Sequence, residues 1–213
     1  SPSSIMEAVA EAARPFVANR KWLLGLGGEH TVSLGLVSAL RERYTALNVL
    51  QLDAHADLRD SYEGSPYSHA CVARRLRELV PTVQVGIRSL SIEEAEAAVV
   101  AEAQIFMARR MRASSSWMLD VLNALAYDVY LTIDLDFFDP SIMPSVGCPE
   151  PGGFGWDETM RFLRMLFQHK RVIGCDVVEL CPISGNVAPD FLAAKLVHKL
   201  ISYRFFLPGG AEL

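Results

Sequence analysis

Short apolar segments alternate with amphipathic helical segments along nearly the whole chain. Each apolar segment has the length of a strand, and the residues after it are apolar at the 3.6-residue period of a helix. Strands that are apolar on both faces have to be covered on both sides. The pattern therefore predicts an α/β fold with three layers, α/β/α, around a mainly parallel sheet. The predicted strands are residues 22–26, 48–52, 83–87, 104–107, 129–133 and 172–178, and the predicted helices are residues 4–19, 31–44, 68–79, 91–102, 116–126, 156–168 and 188–203.

Length and composition limit the classes of function. The chain has 213 residues, of which 51% are hydrophobic, and this favours one domain over residues 1–213. A net charge of −5 lacks the Lys/Arg surplus that binds nucleic-acid phosphates, so we expect no nucleic-acid partner and a small cationic ligand instead. No apolar run approaches the ~18–20 residues of a membrane span, and no secretory signal is recognisable. We expect a cytoplasmic homo-oligomer without a membrane partner.

Two of the predicted strands run directly into acidic motifs. Asp53, His55 and Asp57 follow the second strand, and a continued extended backbone would place all three side chains on one face. Asp134 and Asp136 follow the fifth strand with the same spacing. Because ligands of such sheets bind beyond the carboxyl ends of the strands, we expect these side chains to lie close together.

His30 completes this group. It follows Gly27 and Gly28 at a strand-to-helix turn, where small residues let the backbone approach an ion. A single Asp-x-Asp motif is usually a turn or a helix cap, and we interpret Asp139-Pro140 as a turn. Several buried carboxylates together would repel one another unless cations neutralised them, so the joint pattern predicts a site for two divalent metal ions. Carboxylates with some imidazole favour Mn²⁺ or another hard-to-borderline ion.

Five stretches of the chain match motifs of one known family in the order of that family. They are Gly27-Gly28-Glu29-His30, Asp53-Ala54-His55-Ala56-Asp57, Ser68-His69-Ala70-Cys71, Asp134-Leu135-Asp136-Phe137-Phe138-Asp139-Pro140 and Glu150-Pro151-Gly152-Gly153. Together they resemble the ureohydrolases, the family of arginase and agmatinase. The resemblance covers almost the whole chain from Trp22 onward, and the Ser-His-Ala-Cys and Pro-Glu-Pro-Gly-Gly segments look more like agmatinases than arginases.

The resemblance implies an arginase-like fold and two Mn²⁺ ions per chain. It also implies that His69 relays protons and that Glu179 binds the guanidinium group of the substrate. A carboxylate at the end of an apolar strand supports the second role, because its two oxygens match the forked donors of a guanidinium. Arg88 is expected to be a structural loop clamp. By resemblance, the ligands of one ion are His30, Asp53, Asp57 and Asp134, and those of the other are His55, Asp53, Asp134 and Asp136.

The expected reaction is hydrolysis of agmatine to putrescine and urea, a step of polyamine biosynthesis. Other ureohydrolase substrates stay open, namely those of guanidinobutyrase, arginase and formimidoylglutamase. Two further alternatives are a metal-dependent amide deacetylase with one zinc ion and a non-catalytic metal-binding relative. Family members usually carry several dozen residues before the Gly-Gly-Glu-His turn, so we expect a catalytic domain that is short at its N-terminus and lacks a strand there.

Overall fold

A computed structural model of the chain describes residues 2–100 and 102–207. Helices and strands alternate along these residues as the periodicity predicts. The strands are β1 Leu23–Leu26, β2 Asn48–Leu52, β3 Thr82–Ile87, β4 Gln104–Met107, β5 Asp128–Asp134 and β6 Arg171–Val178. The helices are α1 Pro2–Ala18, α2 Val32–Arg41, α3 Val72–Leu79, α4 Ile92–Val100, α5 Ala108–Arg112, α6 Trp117–Ala124, α7 Trp156–His169 and α8 Ala188–Phe206.

The strands form one sheet in the order β1-β6-β5-β2-β3-β4. All of its strand pairs are parallel, which confirms the predicted α/β class. The chain therefore leaves every strand at the same edge of the sheet. Residues that follow β1, β6, β5 and β2 come from four neighbouring strands and meet at the centre of this edge.

The two faces of the sheet carry separate helix layers. In β2, Val49 packs with side chains of α1, α2 and α3, whereas Leu50 and Leu52 pack with α6 and α7 on the other face. This alternation follows from the two-residue period of a strand. Tyr130 and Leu131 of β5 divide between the same two layers. Both layers exclude water from the strands, so the ends of the strands are the places where polar groups collect.

Local differences from the predicted elements lie mostly in short turns. The periodicity misses α5, a single helical turn of five residues. The residues predicted as one helix from 68 onward begin with a 3-10 turn over His69–Cys71 and continue as α3. A second 3-10 turn, Leu135–Phe137, follows β5. Such turns hold too few residues to show a hydrophobic period.

No helix within the described residues combines the length and the apolar character needed to cross a lipid bilayer.

His169 and His198 lie in α7 and α8, as expected for structural histidines. Asp139-Pro140 forms the expected turn, because the Asp139 carboxylate accepts a hydrogen bond from the Ser141 backbone N–H at 3.0 Å.

Candidate metal centre

The predicted metal ligands lie together at the carboxyl edge of the sheet. Two groups of ligand atoms have all their members within 4.8 Å of one another. The first is His30, Asp53 and Asp134, which we call the buried triad. The second is Asp53, His55 and Asp136, which we call the open triad. Asp53 belongs to both groups, so the two triads are adjacent.

The buried triad surrounds one nitrogen of His30. Its Nδ1 atom lies 3.3 Å from Asp53 Oδ2 and 3.3 Å from Asp134 Oδ2. Asp57 Oδ2 lies 3.5 Å from the same nitrogen. Only 1% of the His30 side chain is exposed. Three carboxylates and one imidazole nitrogen thus converge at a place where each residue is at most 7% exposed.

The open triad lies nearer to solvent. His55 Nδ1 is 2.8 Å from Asp136 Oδ2 and 3.8 Å from Asp53 Oδ1. The His55 side chain is 24% exposed, and its Nε2 atom lies 3.9 Å from a Glu150 oxygen. The same kinds of ligand atom are therefore present in both triads, but only the open triad has a histidine that solvent contacts directly.

The backbone after β2 reaches the cluster by a route other than the expected one. Extended pairing of β2 ends at Leu52, and Asp57 adopts a left-handed conformation with φ of 53°. A continued strand through residue 57 is therefore wrong, although the three side chains do converge. Within this turn, the Asp53 carboxylate accepts a hydrogen bond from the His55 N–H at 2.6 Å. A left-handed non-glycine residue costs about 1–3 kcal/mol, and such strain is common at functional sites.

Burial changes the proton affinity of the cluster. It raises the pKa of Asp134 well above its ordinary value and also raises that of Asp136. Burial and the neighbouring Asp53 carboxylate raise the pKa of Asp57 to about 7. Burial by itself would lower the pKa of His55, but its hydrogen bond to Asp136 raises that pKa to about 9. Each of these pKa shifts arises because several carboxylates lie close together with too little positive charge to balance them.

These residues fit a divalent cation. The Nδ1 atom of His30 is buried and has no hydrogen-bond partner, although carboxylate oxygens of Asp53, Asp57 and Asp134 lie within 3.5 Å of it. Buried polar atoms in proteins nearly always have a partner. A cation between the imidazole and the carboxylates would give this nitrogen and these oxygens one common partner.

A cavity of about 530 Å³ opens over the open triad. His55 and Asp136 line it, together with Glu179 and His69. Glu179 follows β6 and, like Asp57, has a left-handed backbone, with φ of 65°. One of its oxygens accepts a hydrogen bond from the His30 N–H at 2.7 Å. The structure thus brings both residues of expected catalytic role to the same cavity as the cluster.

His69 is the most exposed of the expected site residues. Half of its side chain is open to solvent, and its Nδ1 atom lies 3.8 Å from Glu29 Oε1. The ring also contacts the edge of the Tyr62 ring, with centroids 5.7 Å apart. The 3-10 turn at the start of the α3 segment positions it, and neither ring nitrogen is engaged by the triads.

Arg88 takes the structural role expected for it. Its guanidinium group donates hydrogen bonds to the carbonyl oxygens of Asp136 at 2.7 Å, Glu150 at 2.8 Å and Gly86 at 3.2 Å. These contacts join the end of β3 to the turn after β5 and to the loop that contains Glu150. Arg88 therefore holds in place two segments that border the open triad.

Sequence reasoning missed the polar residues beneath the cluster. Gln51, within β2, donates a hydrogen bond to Asp53 Oδ2 at 2.7 Å. Thr132, within β5, lies 2.9 Å from His30 Nε2. Asp176, within β6, is fully buried. Each of the three could have been found as a polar residue inside a strand that is otherwise apolar. A buried polar side chain needs a partner, so such a residue indicates a polar site nearby.

A comparison with models of protein families matches residues 1–202 to the Arginase family. The N(1)-aminopropylagmatine ureohydrolase of Synechocystis is 44% identical over 198 residues, which are 92% of this chain and 65% of that protein. The agmatinase of Pyrococcus horikoshii is 37% identical over 177 residues, which are 83% of this chain and 60% of that protein. The chain thus spans slightly under two thirds of the length of these curated relatives.

Solved structures agree with the fold. The agmatine ureohydrolase of Thermoplasma volcanium superposes with a TM-score of 0.86 at 31% identity, over 96% of this chain and 69% of that chain. The arginase of Bacillus subtilis superposes with a TM-score of 0.83 at 24% identity, over 99% of this chain and 81% of that chain. The second comparison bears on the fold alone.

Proposed function

The chain belongs to the arginase family, and from that premise we propose that it is a metal-dependent ureohydrolase acting on a small cationic guanidino compound. The observation that carries this proposal is that two adjacent triads of ligand atoms and a further carboxylate, Glu179, lie at one cavity. We propose agmatine as the substrate, with putrescine and urea as products. Its N(1)-aminopropyl derivative is the nearest alternative, because similar proteins are named for acting on it.

The metal ions of this proposal are two Mn²⁺. The buried triad with Asp57 would hold one ion, and the open triad with Asp134 would hold the other. Bound there, such ions lower the pKa of a water molecule and supply a nucleophile at neutral pH. The carboxylate-rich donor set supports a hard-to-borderline ion.

Glu179 is the group that orients the substrate in this proposal. The Glu179 N–H donates to the Gly28 carbonyl at 2.8 Å, and the His30 N–H holds one carboxylate oxygen. Both ends of the residue are thus fixed, which limits the entropy lost when a guanidinium group binds. The carboxylate keeps acceptor capacity for the forked N–H donors of a guanidinium, and such charge-assisted bidentate pairs are short and directional. The guanidinium carbon would then lie over the cluster.

His69 completes the reaction by handling the proton. Water adds to the guanidinium carbon, the bond from carbon to the alkyl nitrogen breaks, and the products are urea and a protonated alkylamine. The departing amine needs a proton, and an imidazole at the cavity wall is suited to deliver one. His69 is half exposed, so it can regain that proton from solvent.

The charge of the cavity favours a cationic substrate without a carboxylate. Besides the proposed metal ligands, its lining includes the carboxyl groups of Glu94 and Glu179 and the guanidinium group of Arg59. An amino-acid carboxylate would be repelled by this lining unless a dedicated donor received it. This supports an alkylamine such as agmatine over arginine.

The decisive experiment measures urea release with added Mn²⁺ from agmatine, N(1)-aminopropylagmatine, arginine, guanidinobutyrate and formimidoylglutamate. Preference for either of the first two compounds supports the proposal. Metal counting by plasma emission on the same protein separates the alternatives, because a single zinc ion per chain would favour an amide deacetylase. Two bound ions without urea release from any compound would instead favour a non-catalytic metal-binding relative.

A further inference from the structure

One peptide group in the turn after β2 is held by two distant segments of the chain. This group joins Asp57 to Leu58. Its carbonyl oxygen accepts a hydrogen bond from the Arg74 N–H of α3 at 3.1 Å, and its N–H donates one to Glu94 Oε1 of α4 at 2.9 Å. Because the C=O and N–H of a trans peptide point in opposite directions, the two contacts fix the orientation of its plane. Asp57, Leu58 and Glu94 are each at most 7% exposed.

The orientation of this peptide plane determines the conformation of Asp57. Its φ of 53° lies in the left-handed region, which is unfavourable for a residue with a side chain unless other contacts compensate. A return to the right-handed or extended region would rotate the plane and separate it from Glu94 and Arg74. Both hydrogen bonds therefore favour the left-handed conformation. In that conformation Asp57 Oδ2 lies 3.5 Å from His30 Nδ1.

Glu94 is itself held at the start of α4. Its other oxygen, Oε2, accepts a hydrogen bond from the Ser91 N–H at 2.7 Å, and the Ser91 hydroxyl accepts one from the Glu94 N–H at 3.2 Å. This reciprocal pair is a capping box, which satisfies backbone donors at the beginning of a helix. One carboxylate oxygen thus serves the helix, and the other binds Leu58, 36 positions earlier in the chain.

The part of the turn that carries His55 is held by other contacts. The His55 N–H donates to the Asp53 carboxylate at 2.6 Å, and the Ala56 N–H donates to the Ser89 carbonyl at 3.1 Å. Neither contact involves Glu94. Removal of the Glu94 carboxylate should therefore leave the histidine of the open triad in place.

We propose that Glu94 is a positioning residue, which holds Asp57 in its left-handed conformation and so keeps the Asp57 carboxylate beside the buried triad. This inference rests on the proposed metal centre. Residues that orient metal ligands from outside the ligand set contribute about 10–100-fold to metal affinity. The ion of the buried triad should therefore depend on Glu94, and the ion of the open triad should not.

Glu94→Ala tests this dependence by Mn²⁺ binding. The full chain is dialysed against a chelator and titrated with Mn²⁺, and the free ion is followed by electron paramagnetic resonance. The variant should weaken one of the two ions about 10–100-fold and leave the other unchanged. The His30→Ala background identifies the affected ion, because it should keep only the ion of the open triad. In that background Glu94→Ala should not change the remaining affinity.

Hydrogen exchange of the metal-free protein tests the contact without any ion. The Leu58 N–H is buried and bound to a carboxylate, so it should exchange slowly in the wild type. It should lose this protection in Glu94→Ala.

Ser91→Ala is the matched control. It removes the hydroxyl half of the capping box and leaves the contact between Glu94 and Leu58 in place. Loss of a helix cap lowers stability, so the midpoint of thermal unfolding should fall, as it should in Glu94→Ala. The protection of the Leu58 N–H and both Mn²⁺ affinities should stay at their wild-type values.

Two outcomes overturn the inference. One is Glu94→Ala protein that folds and binds both ions like the wild type. The other is equal weakening of both ions, which indicates a general loss of structure. If Glu94→Ala does not fold, Glu94→Asp decides by the same titration, because it keeps a carboxylate at the start of α4 but shortens its reach towards Leu58 by about 1.5 Å. Wild-type protein that binds no Mn²⁺ would refute the proposed metal centre itself, and hydrogen exchange at Leu58 would still test the role of Glu94.

Discussion

The buried triad and the open triad contain the same types of ligand atom in different surroundings. The His30 side chain is 1% exposed and makes one hydrogen bond, with Thr132, on the side away from the carboxylates, whereas the His55 side chain is 24% exposed and lines the cavity. An ion in the buried triad would be bound by a histidine that solvent hardly contacts, although Asp57 and Asp134 beside it line the cavity. An ion in the open triad would have room for a substrate at its side. The buried triad is therefore suited to holding its ion firmly, and the open triad is suited to presenting its ion to a substrate.

Loss of the residue common to both triads should have the largest effect. Asp53→Asn removes one negative charge from each triad, so we expect loss of both ions and of urea release down to the level without enzyme. The loss in metal affinity should exceed the ~10–100-fold typical of residues outside the ligand set. Metal content by plasma emission and urea release are the two measurements. Asp120→Asn, at an exposed position of α6, is the control, and retention of two ions by Asp53→Asn would contradict the shared role.

Alanine at each histidine in turn should separate the two halves. His30→Ala is expected to abolish the ion of the buried triad and keep that of the open triad, whereas His55→Ala should weaken the ion of the open triad and leave that of the buried triad bound. The effect should be larger for His30, because solvent can replace a ligand only at the exposed position. Mn²⁺ titration of both variants measures this difference. Equal losses in the two variants would remove the distinction between the triads.

His69→Ala should slow turnover and leave both ions bound. Proton transfer by a positioned side chain contributes roughly 10²–10⁴-fold, and we expect the lower end of that range because solvent can partly replace a half-exposed ring. The measurements are kcat and metal content on the same sample. Loss of metal together with activity would contradict this division of roles, and His198→Ala on α8 serves as the control.

Glu179→Gln should weaken the use of substrate without loss of metal. Hydrogen bonds to a charged group contribute about 1.5–3 kcal/mol, so kcat/KM for the guanidino substrate should fall about 10–100-fold. The amide keeps the size of the side chain but not its charge. Glu158→Gln, in the first turn of α7, is the control. An unchanged kcat/KM would mean that a different group on the open side binds the guanidinium.

The smallest expected effect concerns the loop beside the open triad. Asp139 accepts hydrogen bonds from the backbone N–H groups of Gly152 and Gly153, both at 2.9 Å. Its hydrogen bond with Ser141 and these contacts lower its pKa to about 2. A lowered pKa stabilises the fold above the unfolded value of 3.8. Asp139→Ala should therefore reduce the free energy of unfolding by about 1 kcal/mol at neutral pH.

The pH dependence checks this assignment. The stabilisation should diminish as the pH falls below the unfolded pKa of 3.8 and should be lost as it passes through about 2. Thermal unfolding of wild type and Asp139→Ala at pH 7 and below pH 4 measures it. A difference in midpoint that is constant with pH would show that the carboxylate charge is not the cause.

Strand ends were the most predictable part of the site. His30, Asp53 and Asp136 follow apolar strands and Asp134 is the last residue of one. Parallel strands bring their carboxyl ends to one edge, so the cluster was predictable from the spacing. The path of the backbone to Asp57 was not predictable from the spacing. Its left-handed conformation depends on contacts with distant segments, which a local period does not encode.

The sequence by itself determined the layered α/β class and the ligand types, because both depend on the order of apolar and acidic residues along the chain. Only the tertiary structure decided that the His30 side chain is buried and the His55 side chain is partly open, and that Thr132 of β5 lies behind His30. These facts depend on which strands become neighbours and how far each loop covers them. The pairing of β5 with β6 joins residues more than forty positions apart, and packing over the whole sheet sets it.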